Sequence, residues 1–330
     1  MTYVEFLTNV SPNLSLFGGK GSNLIKIIKL RINVPPGFIV NTLAFKRFLE
    51  NSPVKEEIFN RFSLDYQPKD VLNISTEIKN LFIKSKIPTE VIKEIRQAFD
   101  ITCKNIGRKI SFSVRSSANI EDSIQFSFAG QAESYLNIIT FDEILESVKN
   151  CWISLFTPNA LLYLLQIRKS NKQILLKDLE MAVIIQKMVN SQVSGVLFTA
   201  NVINNSKNEM LVNSTWGLGE TITSNLIIPD LLIISKNKFS IIKKVIGEKE
   251  KMSIPNPSES STTLIATKKN LQKVCSLDDS QLFRLYKLGL KLEKSFNYPQ
   301  DIEWAIENDI LYILQSRPIT TLRERKTDRI

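Results

Sequence analysis

The 330-residue chain contains no histidine. That absence excludes imidazole as a metal ligand, general base, nucleophile or phosphate carrier within these residues. Any chemistry here falls to lysine, arginine, carboxylate, amide, hydroxyl or backbone groups. Cysteine is nearly as scarce. Cys103, Cys151 and Cys275 are odd in number and far apart, so their spacing points to no thiolate metal site and no disulfide framework. A reducing compartment suits such a chain. No apolar run approaches the roughly 18 residues of a membrane span, so no membrane partner is expected. The opening "MTYVEFLTNVSPNLSLF" has no basic start and no apolar core of signal-peptide length, and a cytoplasmic location is expected.

What is present is ordinary for a globular protein. Hydrophobic residues make up 43% of the chain, enough at this length for two or three domains with their own cores. The net charge is +10. A lysine-rich composition accounts for that surplus, and so does a polyanionic partner such as a nucleotide. The positive charge is scattered, with no basic run interleaved with aromatics, so nucleic acid is not expected as a partner.

Periodicity mixes helices and strands, which predicts an α+β chain. "FGGKGSNLIKIIKL" reads as a glycine-rich turn before a helix that Ser22 caps. "PTEVIKEIRQAF" is a second helix with Thr89 as cap, and "TFDEILESVKNCW" opens with the capping-box pair Thr140 and Glu143. "KISFSVR" alternates as a half-buried strand that ends on Arg115 and runs into a small-residue loop. From "MAVIIQKMV" onward short strands dominate, and a division near residue 185 is predicted, giving parts 1–185 and 186–330. Residues 247–263 are polar and rich in Ser and Pro, and read as an exposed loop. The chain closes with an amphipathic helix and a hairpin, "DIEWAIENDILYILQSR".

Four places carry candidate chemistry. In "GGKG" the glycines let backbone approach a ligand, and Lys20 adds a point charge suited to an anion. The same residues also fit a tight turn with a solvated lysine. Arg115 lies on the polar face of its strand, where its planar fork suits a phosphate. Ser116, Ser117 and Ala118 leave space beside it, Gly130 allows close approach, and Ser134 is a polar contact. Pairing of Arg115 with Glu121 or Asp122 is the alternative. Gln186 ends an apolar run, where a base finds hydrogen bonds beside apolar surface or where a strand merely ends.

The fourth place is the closing hairpin. Asp301 and Glu303 alternate on one strand, a spacing that suits a hard divalent cation. Gln315 and Arg317 share a face on the other strand, with Leu311 and Ile313. A two-residue turn at Asn308-Asp309 puts Glu303 and Gln315 on opposite faces. A three-residue loop, Glu307 to Asp309, pairs Ile306 with Ile310 and puts all four polar groups on one face. The three-residue loop is predicted, since four polar groups on a buried-looking hairpin need a shared ligand or solvent.

Taken in order, "GGKGSNL", "VPPGF", "FSVRSSA…ED…SFAGQ", "MVNSQVSGVLFTANV", "GLGE" and "PQDIEW…LYILQSRPIT" span residues 18–320. They closely resemble the N-terminal nucleotide-binding region shared by phosphoenolpyruvate synthase, pyruvate phosphate dikinase and rifampicin phosphotransferase. The resemblance implies an ATP-grasp-like fold of two lobes that close on ATP and magnesium. It implies that Lys20, Arg115 and Arg317 hold phosphates as the catalytic cations, and that Gly130, Ser134 and Gln186 line the nucleotide pocket. Glu303 and Gln315 are implied for phosphates and metal, with Asp301 as an added metal-side carboxylate. Ser134 stands where many relatives have threonine.

The resemblance also implies an ATP-dependent, dikinase-type phosphotransferase. ATP is split between its α and β phosphates, and a histidine on a swivelling domain receives the transferred group. With no histidine of its own, this chain is expected to need a separate phosphohistidine-domain protein, and the final small-molecule acceptor is unnamed. A nucleotide-binding regulatory pseudoenzyme and a stand-alone kinase acting directly on a small molecule are the other readings.

Overall fold

The structure is a computed structural model that describes residues 2–62, 66–107, 110–119, 134–169 and 179–322. The chain divides into two compact units. The first comprises Met1–Lys29, Pro36–Met188 and Ser258–Ser261, and the second Leu30–Pro35, Val189–Pro257 and Thr262–Ile330.

The first unit contains β1 (Val4–Phe6), α1 (Leu14–Lys29), β2 (Gly37–Val40), α2 (Thr42–Glu50), α3 (Val54–Phe62), α4 (Val71–Lys84) and α5 (Thr89–Ile106). It continues with β3 (Phe112–Ala118), β4 (Ser134–Ile138), α6 (Phe141–Ile153), α7 (Pro158–Lys169) and β5 (Met181–Lys187). The strands form one sheet in the order β1-β2-β5-β3-β4, antiparallel at each described pairing.

Strand alternation assigns the two faces of this sheet. Phe38, Val40, Phe112, Val114, Val183 and Ile185 point into a core shared with Phe45, Phe48, Ile78, Phe82, Ile95, Val148 and Trp152. Trp152 lies 5.8 Å from Phe45 and 5.1 Å from Phe48, ring centre to ring centre, so helices α2 and α6 are joined through aromatic contact. The opposite face carries Ile39 and Ile184 and receives α1. A Cβ added to Gly21 of α1 would lie 2.6 Å from Cδ1 of Ile39.

Several local expectations change. Helix α1 starts at Leu14, not after the glycines, with the Asn13 side chain accepting from Leu16 N–H at 3.1 Å. Ser22 therefore sits inside the helix, and its buried hydroxyl has no hydrogen-bond partner among the described residues. Thr89 is the first helical residue of α5 rather than its cap. The Thr140–Glu143 capping box does form. Ser260 adds a third hydroxyl or amide to the Glu143 carboxylate, donating at 2.6 Å, and with Thr140 holds that carboxyl below its ordinary value. Strand β3 does not end on Arg115. Ser116, Ser117 and Ala118 continue it, opposite Val183, Ala182 and Met181 of β5.

The second unit contains β6 (Val193–Phe198), β7 (Glu209–Trp216), α8 (Glu220–Thr223), β8 (Asp230–Ser235), β9 (Ser240–Val245), β10 (Lys251–Pro255) and β11 (Thr262–Ala266). After α9 (Lys269–Gln272) and α10 (Asp279–Phe296), it ends with β12 (Gln300–Glu307) and β13 (Ile310–Pro318). Six strands form an antiparallel sheet in the order β13-β12-β6-β7-β8-β9. Helix α10 is capped by Asp278 and packs on this sheet through Gly289. A Cβ there would lie 2.8 Å from Leu197 Cδ2, so a glycine eases the close approach of the helix to the sheet.

The segment 247–263, expected as an exposed loop, instead holds β10 and the start of β11, with Lys249 and Ser253 fully buried. Tertiary partners explain the difference. Asp230, also fully buried, accepts from Lys249 Nζ at 2.5 Å, from Gly247 N–H at 3.0 Å and from the Ser276 N–H and hydroxyl, each at 2.8 Å. A buried carboxylate is tolerable when its lone pairs are filled in this way.

Candidate functional site

In the first unit, three of the predicted residues share the sheet face that receives α1. Arg115 of β3 is directly opposite Ser134 of β4 on one side and Ile184 of β5 on the other. Gln186 is opposite Ser113, two residues before Arg115, and opposite Gly37 of β2. Directly opposed residues in an antiparallel pair project to the same side, so Arg115, Ser134 and Gln186 project together. Gln186 is buried and Ser134 exposed. A Cβ on Gly37 would lie 2.1 Å from the Ile185 carbonyl oxygen, which is why a glycine stands beside Gln186.

Lys20 comes to this face on α1. The helix is kinked at Gly18, whose φ of 66° and ψ of −178° are open to glycine and strained for other residues. The kink brings the Lys20 amine, 6% exposed, within 3.2 Å of the Ser116 carbonyl oxygen, to which it donates. The Ser116 carbonyl accepts from the ammonium and so orients it on this face. Gly130, Glu121 and Asp122 lie outside the described residues.

In the second unit, the closing hairpin differs from expectation in its turn and agrees in its outcome. The connection is the two-residue turn Asn308-Asp309, with Glu307 opposite Ile310. Both turn residues have positive φ, 50° and 62°, as a type I′ turn requires, and Asn and Asp accept that conformation more readily than most residues. Arg284 secures the turn by donating to the Asp309 backbone oxygen at 2.8 Å and pairing with its carboxylate.

A two-residue turn should have put Glu303 and Gln315 on opposite faces. It does not, because the register shifts between Glu303 and Trp304. Trp304 is opposite Ile313 and Glu303 is opposite Gln315, so Leu314 is the extra residue of a β-bulge. Asp301 is opposite Arg317. All four predicted polar groups therefore share one face in two directly opposed pairs. Leu311 and Ile313, expected on that face, lie on the other one with buried Trp304 and Ile306.

The Asp301 carboxylate accepts from Arg317 Nε at 2.9 Å. Burial pushes the Asp301 carboxyl above its ordinary value; Arg317 pulls it down, and the neighbouring Glu303 carboxylate adds to the rise. The Arg317 side chain is about a third exposed, while that of Asp301 is mostly buried. Among the described residues no group of three or more His, Cys, Asp and Glu side chains is gathered for a metal.

One contributor was missed by sequence reasoning. Ser117, treated as a small spacer, is fully buried and its hydroxyl bonds to the backbone of α1 on both sides of the Gly18 kink. The local signal was two serines after an arginine, and nothing in that pattern tells which backbone they meet about a hundred residues away.

Residues 14–330 match the family described as pyruvate phosphate dikinase, AMP/ATP-binding domain. Among curated proteins, the chain is 36% identical to phosphoenolpyruvate synthase of Pyrococcus furiosus, over 98% of this chain and 44% of that protein. It is 38% identical to the probable phosphoenolpyruvate synthase of Archaeoglobus fulgidus, over 98% of this chain and 42% of that one. It is 37% identical to rifampicin phosphotransferase of Bacillus subtilis, over 94% of this chain and 35% of that one. The chain thus spans less than half the length of each of these relatives. With its mixed α+β, ATP-grasp-like architecture, it belongs to the pyruvate phosphate dikinase AMP/ATP-binding domain family.

Proposed function

We propose that this chain is the ATP-handling part of a dikinase-type phosphotransferase. The observation that carries the reading is the register of the closing hairpin. In a chain of this family, it sets Glu303 opposite Gln315 and Asp301 opposite Arg317 on one face. Lys20, Arg115 and Arg317 neutralise phosphate oxygens, while Ser134 and Gln186 serve the nucleoside side together with Gly130.

Magnesium fits the donor set. Mg2+ is usually held by one or two carboxylates together with phosphate oxygens and water. Glu303, Gln315 and Asp301 supply hard oxygen donors on one face. When bound, the ion draws negative charge from the phosphate oxygens as the bond to the leaving group breaks.

The reaction needs an acceptor that these residues do not contain, since the chain has no histidine. An imidazole nitrogen on a swivelling domain or partner protein attacks the β phosphorus of ATP. The bond from that phosphorus to the α,β-bridging oxygen breaks, and AMP leaves with the electron pair. The histidine holds a pyrophosphoryl group, water releases one phosphate from it, and the other passes to a small-molecule acceptor. This chain's cations stabilise charge that grows on the leaving oxygens, and the imidazole makes a protein general base unnecessary.

The test is to incubate the purified chain with ATP and magnesium, with and without the histidine-bearing domain of a relative, and to follow AMP. AMP and one phosphate are expected only when that domain is present. AMP at full rate from the chain alone would overturn the need for a histidine partner.

A further inference from the structure

The hydroxyl of Ser117 sits where a helix hydrogen bond is missing. In an uninterrupted helix the N–H of Gly21 would donate to the carbonyl of Phe17, four residues earlier. The Gly18 kink opens that pair. The Ser117 hydroxyl fills the gap: it accepts from Gly21 N–H at 3.0 Å and donates to the Phe17 carbonyl at 2.7 Å. A side chain inserted into the helical ladder is a recognised cause of a kink. The fit is tight, since a Cβ on Gly18 would lie 2.4 Å from the Ser117 hydroxyl oxygen and 2.1 Å from its carbonyl oxygen. Ser117 is fully buried, so water cannot substitute without a rearrangement. The residue before it, Ser116, supplies the carbonyl that receives the Lys20 amine.

We propose that Ser117 is a positioning residue for the phosphate-binding lysine: its hydroxyl holds the Gly18 kink open and thereby sets the place of the Lys20 amine. This rests on the reading that Lys20 binds phosphate. A hydroxyl suits the task because it donates and accepts at once. Without it, two buried backbone groups either lose their partners or bond to each other. The second outcome closes the helix and turns Lys20 away.

The test measures ATP and adenosine affinity by calorimetry for the wild-type chain, Ser117→Ala, Lys20→Ala and the double variant. Ser117→Ala is expected to weaken ATP binding about tenfold, the scale of one hydrogen bond to a charged group, and to leave adenosine affinity unchanged. The double variant is expected to bind ATP no more weakly than Lys20→Ala alone. Additive losses, or an equal loss for adenosine, would overturn the positioning role. If Lys20→Ala itself left ATP affinity unchanged, the phosphate-binding reading would fail instead. If Ser117→Ala did not fold, Ser117→Cys keeps a weaker donor and acceptor in place. An intermediate loss of ATP affinity is then expected, and wild-type affinity would count against the proposal.

Discussion

At the scale of single residues, charged groups of the candidate site are oriented by specific polar partners. Lys20 is held by a carbonyl, and Arg317 by a carboxylate that burial has made harder to ionise. The second case has a consequence for stability. The Asp301 carboxyl keeps its proton to a higher pH in the folded chain than in the unfolded one, where its value is about 3.9. In the window that opens there and runs upward, the folded state binds more protons, so stability falls as pH rises. Asp301→Asn is expected to remove that fall, measured as the difference between urea unfolding curves of the two proteins across the acid range. A wild-type chain that instead gained stability relative to the variant through the same window would contradict the assignment.

At the scale of elements, the closing hairpin brings its four polar groups to one face through a two-residue turn and a bulge rather than a three-residue loop. Sequence parity demanded a correction somewhere between Glu303 and Gln315, and the loop was the visible place to put it. The turn residues Asn308 and Asp309 favoured a two-residue connection, and the extra residue went into the strand at Leu314. The left-handed conformation at Asn308 has a measurable cost for other residues. Asn308→Val is expected to lower stability by about 1–2 kcal/mol, while Asn308→Gly is near neutral. Denaturant midpoints for the two variants in the reverse order would argue against a type I′ turn. Strand β3 makes a similar point. Arg115 has the position expected for it on the polar face, but the strand continues because β5 offers pairing partners through Met181.

At the scale of the whole molecule, the second unit holds a buried ion pair between residues 19 positions apart. Lys249→Met leaves the Asp230 carboxylate buried with its amide and hydroxyl donors but no countercharge. The expected loss is about 3 kcal/mol, the lower end for a broken buried pair, and Asp230→Asn in the same chain should recover part of it. Thermal or urea unfolding of both variants checks this, and a single variant as stable as the wild type would show that the pair carries no such weight. The chain divides into two compact units. Their main boundary falls at Met188/Val189, but Leu30–Pro35 and Ser258–Ser261 each belong to the unit opposite to their flanks. The second of these short segments is held in the first unit by Asn137, whose side-chain amide donates to the Glu259 and Ser261 carbonyls at 2.8 Å each. Such assignments follow from contacts across more than a hundred residues, which periodicity does not report.

The amino-acid sequence by itself determined the family, the absence of any imidazole, the alternation that puts Arg115 on a polar face, and the Thr140–Glu143 capping box, because these depend on residue type and short spacing. Only the tertiary structure decided that Ser117 replaces a helix hydrogen bond, that a bulge at Leu314 aligns Glu303 with Gln315, and that Lys249 is buried against Asp230. Each of those depends on where the folded chain brings groups together, which residue type and short spacing do not report, and buried polar atoms must then find partners there.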